Sequence, residues 1–144
     1  HQLHRRQRQM CIRDSTEANR KIVEDAVEAW LGGDGGAIFK LLDDNVQWTL
    51  TGTTPLSRLY TSRRDFVDNA LKPLSAKLAG AITATVLNVF ADGDHVILQW
   101  DGTAAMKSGA PYHNRYCWVM RFSNGKVVEA QAYLDTELVS ALFD

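Results

Sequence analysis

Cysteine, proline and long apolar runs are all scarce in this chain of 144 residues, and each scarcity excludes something. Cys11 and Cys117 are the only two cysteines, too few for a disulfide scaffold, and no Cys/His spacing suggests zinc. No metal site is expected. No stretch approaches the roughly 20 consecutive apolar residues of a spanning helix, so no membrane partner is expected either. With 3 Pro, 10 Gly and 23% charged residues, the composition is neither disordered nor fibrous. No phosphate loop, nucleotide fingerprint or serine triad is present, and no cofactor is expected. The N-terminus lacks an apolar signal-peptide core, which favours a cytoplasmic location.

Charge of one sign is also lacking overall, with 16 Lys+Arg against 17 Asp+Glu. The balance hides an asymmetry. Residues 1–15 (HQLHRRQRQMCIRDS) carry four Arg and one Asp, which leaves 12 basic and 16 acidic residues, a net of −4, for the rest. A mildly acidic domain argues against nucleic acid as a partner. The first 15 residues have no apolar period and read as a disordered or non-native tail; QMCIRDS resembles translated sequencing adapter. Residues 16–144 are long enough for one domain with one sizeable core.

Helical spacing begins at Ser15-Thr16-Glu17, with Ile22, Val23, Ala26, Val27, Trp30 and Leu31 on one face and Gly32-Gly33 as the stop. Ile38 to Leu42 predicts a short second helix, Asp43-Asp44-Asn45 a turn, and Val46 to Thr51 a strand. After a loop through Pro55, Ser62 can cap a third helix whose Lys72-Pro73 pair predicts a kink. From Gly80 the period becomes two. Turns at Asp92-Gly93-Asp94, Lys107-Ser108-Gly109 and Ser123-Asn124-Gly125 separate four strands, and Glu137 to Phe143 predicts a last helix. Helices segregated from an antiparallel meander make an α+β domain whose long sheet must twist and curve.

Three segments, AWLGGDGGAIFKLLDDNVQWTLTG, TTPLSRLYTSRRDF and YHNRYCWVMRFSNGKVVEAQAYLDT, resemble the NTF2-like superfamily in its SnoaL-like, ketosteroid-isomerase-related branch. The resemblance covers about residues 16–140. It implies a cone-shaped fold, with a curved antiparallel sheet wrapped around N-terminal helices, and a homodimer. It implies no one activity, because this fold hosts isomerases, hydrolases, cyclases and binding modules. Matched by motif, the isomerases' general-base Asp falls on Thr49, their donor Tyr on Ala26 and their donor Asp on Trp118. The epoxide hydrolases' Arg-x-Asp pair falls on Tyr116 and Trp118, their other Asp on Ala132, and their water-holding Tyr and Asn on Gln47 and Thr49. Both constellations are missing from this chain.

Carried through strand alternation, those positions imply a pocket lined by Gln47, Thr49, Leu98, Trp100, Asn114, Tyr116 and Trp118, floored by Ala130 and Ala132, with Tyr60 at its mouth. The same aromatics would also serve as plain core. Asp135 is the one remaining carboxylate candidate for catalysis. His113, Arg115, Cys117 and Val119 fall on the opposite face, where Asp101 can pair with Arg115 or Arg121, and His95 falls in a turn. The expected function is therefore a small apolar or aromatic ligand held in the cone, with or without chemistry of the isomerase, hydrolase or cyclase type. The alternative is a non-catalytic dimerisation or protein-interaction module. An open cavity of roughly 300 Å³ or more would favour the first.

Overall fold

The computed structural model describes the backbone of residues 2–144 and the side chains from Ser15 onward. The expectation of a tail over residues 1–15 concerns side chains that lie almost wholly outside those described. The first helix, α1 (Gln2–Leu31), starts upstream of the expected Ser15. From Ser15 on it is amphipathic: Val23, Ala26 and Val27 are buried, while Lys21, Glu24, Asp25 and Glu28 face solvent. Gly33, at φ +117°, supplies the left-handed residue that ends it.

The predicted second helix is only a 3₁₀ turn, Phe39–Leu41, and Leu42 already opens strand β1 (Leu42–Leu50). Asp43-Asp44-Asn45 is not a turn between elements. It lies in β1 at a register irregularity between Leu42 and Gln47, where an outward bulge suits polar residues. A two-residue strand, β2 (Leu59–Tyr60), pairs with β1. The Ser62 hydroxyl accepts the Asp65 N–H and caps α2 (Arg63–Phe66). The chain then widens into a π-turn over Val67–Leu71 before α3 (Lys72–Ala76). Pro73 has no N–H to continue the α ladder, and the wider turn precedes it in place of a break.

β3 (Thr83–Asp92), β4 (His95–Ala105), β5 (Pro111–Ser123) and β6 (Lys126–Tyr133) form the expected meander. The last hairpin turns on Asn124 and Gly125, both at positive φ. The sheet order is β2-β1-β6-β5-β4-β3, and β1 runs parallel to β6. The sheet is mostly antiparallel, as expected, with this one parallel join: β1 precedes the meander and pairs with its far edge, a long-range pairing that no local pattern announces. α4 (Thr136–Leu142) follows, capped by the Asp135 carboxylate. The main core lies between α1, the α2–α3 segment and the inner face of the sheet, and a smaller cluster joins Leu78, Tyr112 and Leu142 under α4. The architecture is α+β, with helices packed against a six-stranded, mostly antiparallel sheet.

Candidate functional site

A cavity of about 410 Å³ lies between the helices and the inner face of the sheet. Alternation along β4 and β5 sends Trp100, Tyr116 and Trp118 inward; Ala132 on β6, beside Trp118 in register, leaves room that a larger side chain would fill. β1 adds Trp48 and Leu50, α1 adds Trp30, the 3₁₀ turn adds Phe39, and the capped helix adds Phe66. All four tryptophans of the chain therefore line this one space. Exposed Gly35, Ser75 and Ala81 stand at its rim.

The rings hold one another in fixed geometry. Trp100 stacks on Tyr116 with centroids 4.0 Å apart, and Trp48 stacks on Phe66 at 4.4 Å. Trp118 stands edge-on to both Trp48 and Trp100 at 5.2 Å, and Trp30 stands edge-on to Trp100 at 4.8 Å. Such pairs add to simple area burial. The stack needs Gly102. A Cβ there would come within 2.8 Å of Ile82, 2.9 Å of Trp100 and 3.1 Å of Tyr116.

Polar groups are few. The ring N–H groups of Trp48 and Trp100 are buried without an acceptor. The Tyr116 hydroxyl lies 2.8 Å from that of Tyr112, which Asn114 Nδ2 reaches at 3.0 Å. Asn114 also bonds both the N–H and the carbonyl of Asp135. Burial pushes the Tyr112 and Tyr116 phenols up from their ordinary value, Tyr116 furthest. Among the described residues no Asp, Glu or His lines the cavity, and none cluster as metal ligands. The space offers no base for proton abstraction and no carboxylate pair to activate water.

Of the residues expected at the pocket, Trp100, Tyr116, Trp118 and Ala132 stand in its wall. Leu98 and Ala130 are buried beside it in the core, and Asn114 lies behind Tyr116. Tyr60 is not at the mouth: it is buried against Phe66, with its hydroxyl donating to the Leu56 carbonyl. Gln47 and Thr49 are corrected outright. Val46 and Trp48 are buried on the inner side of β1, so the alternate residues Gln47 and Thr49 point the other way, and the Gln47 amide donates to the Asn45 and Thr61 carbonyls. Asp135 is exposed, its carboxylate accepting the Glu137 N–H at 3.1 Å as a helix cap. Trp30, Trp48, Phe39 and Phe66 were missed as wall residues. Trp48 carried a legible signal, since Val46, Trp48 and Leu50 are the apolar parity of their strand.

On the outer face Arg115 grips Asp101 through two bonds of 2.7 and 3.0 Å, and Arg121 reaches Glu129 at 3.4 Å. His113 is exposed beside them, Cys117 is a half-buried free thiol, and His95 pairs with Asp94 in its turn.

The SnoaL-like domain profile matches residues 23–130, three quarters of the chain, and the chain belongs to that family. No curated protein matches the sequence. Among solved structures, an NTF2-like protein from Burkholderia thailandensis is 24% identical, with a TM-score of 0.73 over 88% of this chain and 97% of its own. TerC, co-crystallised with polyporic acid, is 15% identical, with a TM-score of 0.71 over 87% and 97%. A protein of ketosteroid isomerase-like fold from Catenulispora acidiphila, in complex with trimethylamine, is 18% identical, with a TM-score of 0.62 over 84% and 90%. Relatives of this fold thus bind small molecules. No described helix is long and apolar enough to cross a membrane.

Proposed function

We propose that this SnoaL-like domain holds a compact apolar or aromatic small molecule in its cavity, in the cytoplasm, without the Asp-based machinery of the steroid isomerases or the carboxylates of the epoxide hydrolases. The observation that carries the reading is the convergence of all four tryptophans on one open space of about 410 Å³ with no carboxylate in its wall. A core built only for stability closes such a space, because packing to crystal-like density is worth more than an aromatic-lined void. Apolar walls with a few placed polar groups are the usual form of a small-molecule site.

The outer face of the sheet supports a second property, homodimerisation. Register aligns Phe90, Ile97, Val119, Gln131, Thr49 and Leu59 across all six strands, a largely apolar band with exposed Phe90 and Leu59 at its ends. The Asp101–Arg115 and Arg121–Glu129 pairs flank it. An apolar centre with a charged rim is how interfaces are built. Native mass spectrometry of the purified protein tests both properties at once. The expected spectrum is a dimer with a retained small molecule that gentle activation removes. A monomer would remove the second property. An empty protein that also ignores aromatic ligands at millimolar concentration would remove the first and leave the interaction module.

A further inference from the structure

The hydrogen bonds behind Tyr116 have a direction. The Asp135 backbone N–H can only donate, so the Asn114 atom it meets at 2.9 Å is the carbonyl oxygen. That fixes the amide, whose NH₂ group donates to the Asp135 carbonyl at 3.1 Å and to the Tyr112 oxygen at 3.0 Å. Tyr112 is fully buried, and its own proton has one acceptor within reach among the described residues, the Tyr116 oxygen at 2.8 Å. Either direction leaves one phenol proton without a partner among the described residues; on Tyr112 it would be sealed in a fully buried cluster, whereas on Tyr116 it lies on a residue of the cavity wall. The chain therefore runs from Asn114 through Tyr112 to Tyr116. The Tyr116 proton is left with no acceptor among the described residues, on a residue that forms the cavity wall.

The Trp48 and Trp100 ring N–H groups also lack an acceptor among the described residues, but both are sealed in the packing and not presented to the open space. Among the wall side chains inside the rim none carries a carboxylate or amide oxygen, and the Tyr116 oxygen already accepts from Tyr112; Ser75 stands at the edge. We propose that Tyr116 is the specificity-determining donor of this cavity, and that its ligand is a compact planar molecule presenting a carbonyl or similar acceptor oxygen. This deepens the ligand-binding reading above and rests on it. A hydroxyl that already accepts a hydrogen bond donates more strongly through its own proton. A cation would set its positive charge against the Tyr116 proton, although aromatic rings by themselves suit a cation.

1-Tetralone and tetralin share one skeleton and differ by a carbonyl oxygen. Titrating each into the full chain by tryptophan fluorescence, with benzyltrimethylammonium as a third probe, tests the proposal. The expected result is tetralone bound roughly three- to tenfold more tightly than tetralin, the net effect of one hydrogen bond. Tyr116→Phe is expected to erase most of that preference and leave tetralin affinity unchanged. Equal affinities in the wild type, a preference that survives Tyr116→Phe, or tightest binding of the ammonium would each overturn the proposal. The wild-type comparison needs no variant, so a Tyr116→Phe chain that fails to fold does not shelter it. Failure of all three probes to bind would instead remove the ligand-site reading, and this inference with it.

Discussion

One residue step along β4 or β5 moves a side chain from an aromatic-lined cavity to solvent, and the two faces of the sheet handle polarity in different ways. Inside, Trp100, Tyr116 and Trp118 sit among few polar atoms, and the hydroxyls of Tyr112 and Tyr116 are tied by directed hydrogen bonds. Outside, Asp101 and Arg115 or Arg121 and Glu129 meet as accessible ion pairs that water also serves. The inner bonds cannot be replaced when a partner is lost, whereas the outer ones can. Asn114→Ala should therefore have the largest effect. It strands the N–H and carbonyl of Asp135 and removes the donor to Tyr112, which loosens the start of α4. A loss of about 2 kcal/mol is expected, from one buried bond to Tyr112 and two part-buried ones to Asp135 at about 0.5–1.5 kcal/mol each. Urea unfolding would read this as a lower midpoint, and a loss under about 1 kcal/mol would mean that water enters behind Tyr112.

Acid and alkali should separate the faces. Tyr112 and Tyr116 are held above the ordinary phenol value of 10.0 by burial, so the folded state prefers them neutral. Their contribution is complete below that value and is lost as pH rises past it, by up to about 1.4 kcal/mol per pH unit for each tyrosine. Asp101 is held below its ordinary 3.8 by the hydrogen bond from Arg115, and Asp65 by Arg58, Asn69 and the Thr61 N–H. Their contribution is present above 3.8 and fades as pH falls below it. Melting temperatures followed from acid to alkaline pH should show a shallow acid limb and a steep alkaline one. Tyr116→Phe should flatten the alkaline limb and leave the acid limb alone. An alkaline limb indifferent to Tyr116 would place the sensitivity elsewhere.

The contrast between faces was legible in sequence where alternation was clean. The thirteen residues of β5 alternate without interruption, and once the resemblance put Trp118 inward, parity put Tyr116 and Asn114 with it. The Asn124-Gly125 turn and the Ser62 cap were equally readable, because each depends on one local bond or one backbone angle. β1 misled. A catalytic position carried over to Thr49 put the polar parity inside, although the apolar residues Val46, Trp48 and Leu50 mark the other side as the buried one. Phe39, Phe66 and Trp30 looked like ordinary helix faces. They become cavity walls only because the 3₁₀ turn, the capped helix and α1 meet over the sheet, which is a tertiary fact. The parallel join of β1 to β6 was hidden for the same reason.

The smallest effect should come from Arg115→Ala, and for that reason it is a sharp test of the comparison. Among the described residues Arg115 makes the shortest two-bonded ion pair, with both bonds to one carboxylate. If bond count governed stability, its removal would rival that of Asn114. The Arg115 side chain is 71% accessible, however, and the Asp101 side chain 34%, so both groups recover water when the pair is broken. Ordering two long side chains also offsets much of the attraction, and salt screens the remainder. The melting temperature of Arg115→Ala should match that of the wild type within measurement error at physiological salt. Asp101 should then titrate higher than in the wild type, because the hydrogen bond and charge that lower it are gone. A clear fall in melting temperature would show that the pair is sheltered in solution, as it would be at the rim of an interface between two copies of the sheet. Dilution decides between these: a fall that disappears as the protein is diluted belongs to the interface, and one that persists would show that the two faces differ less than their exposure implies.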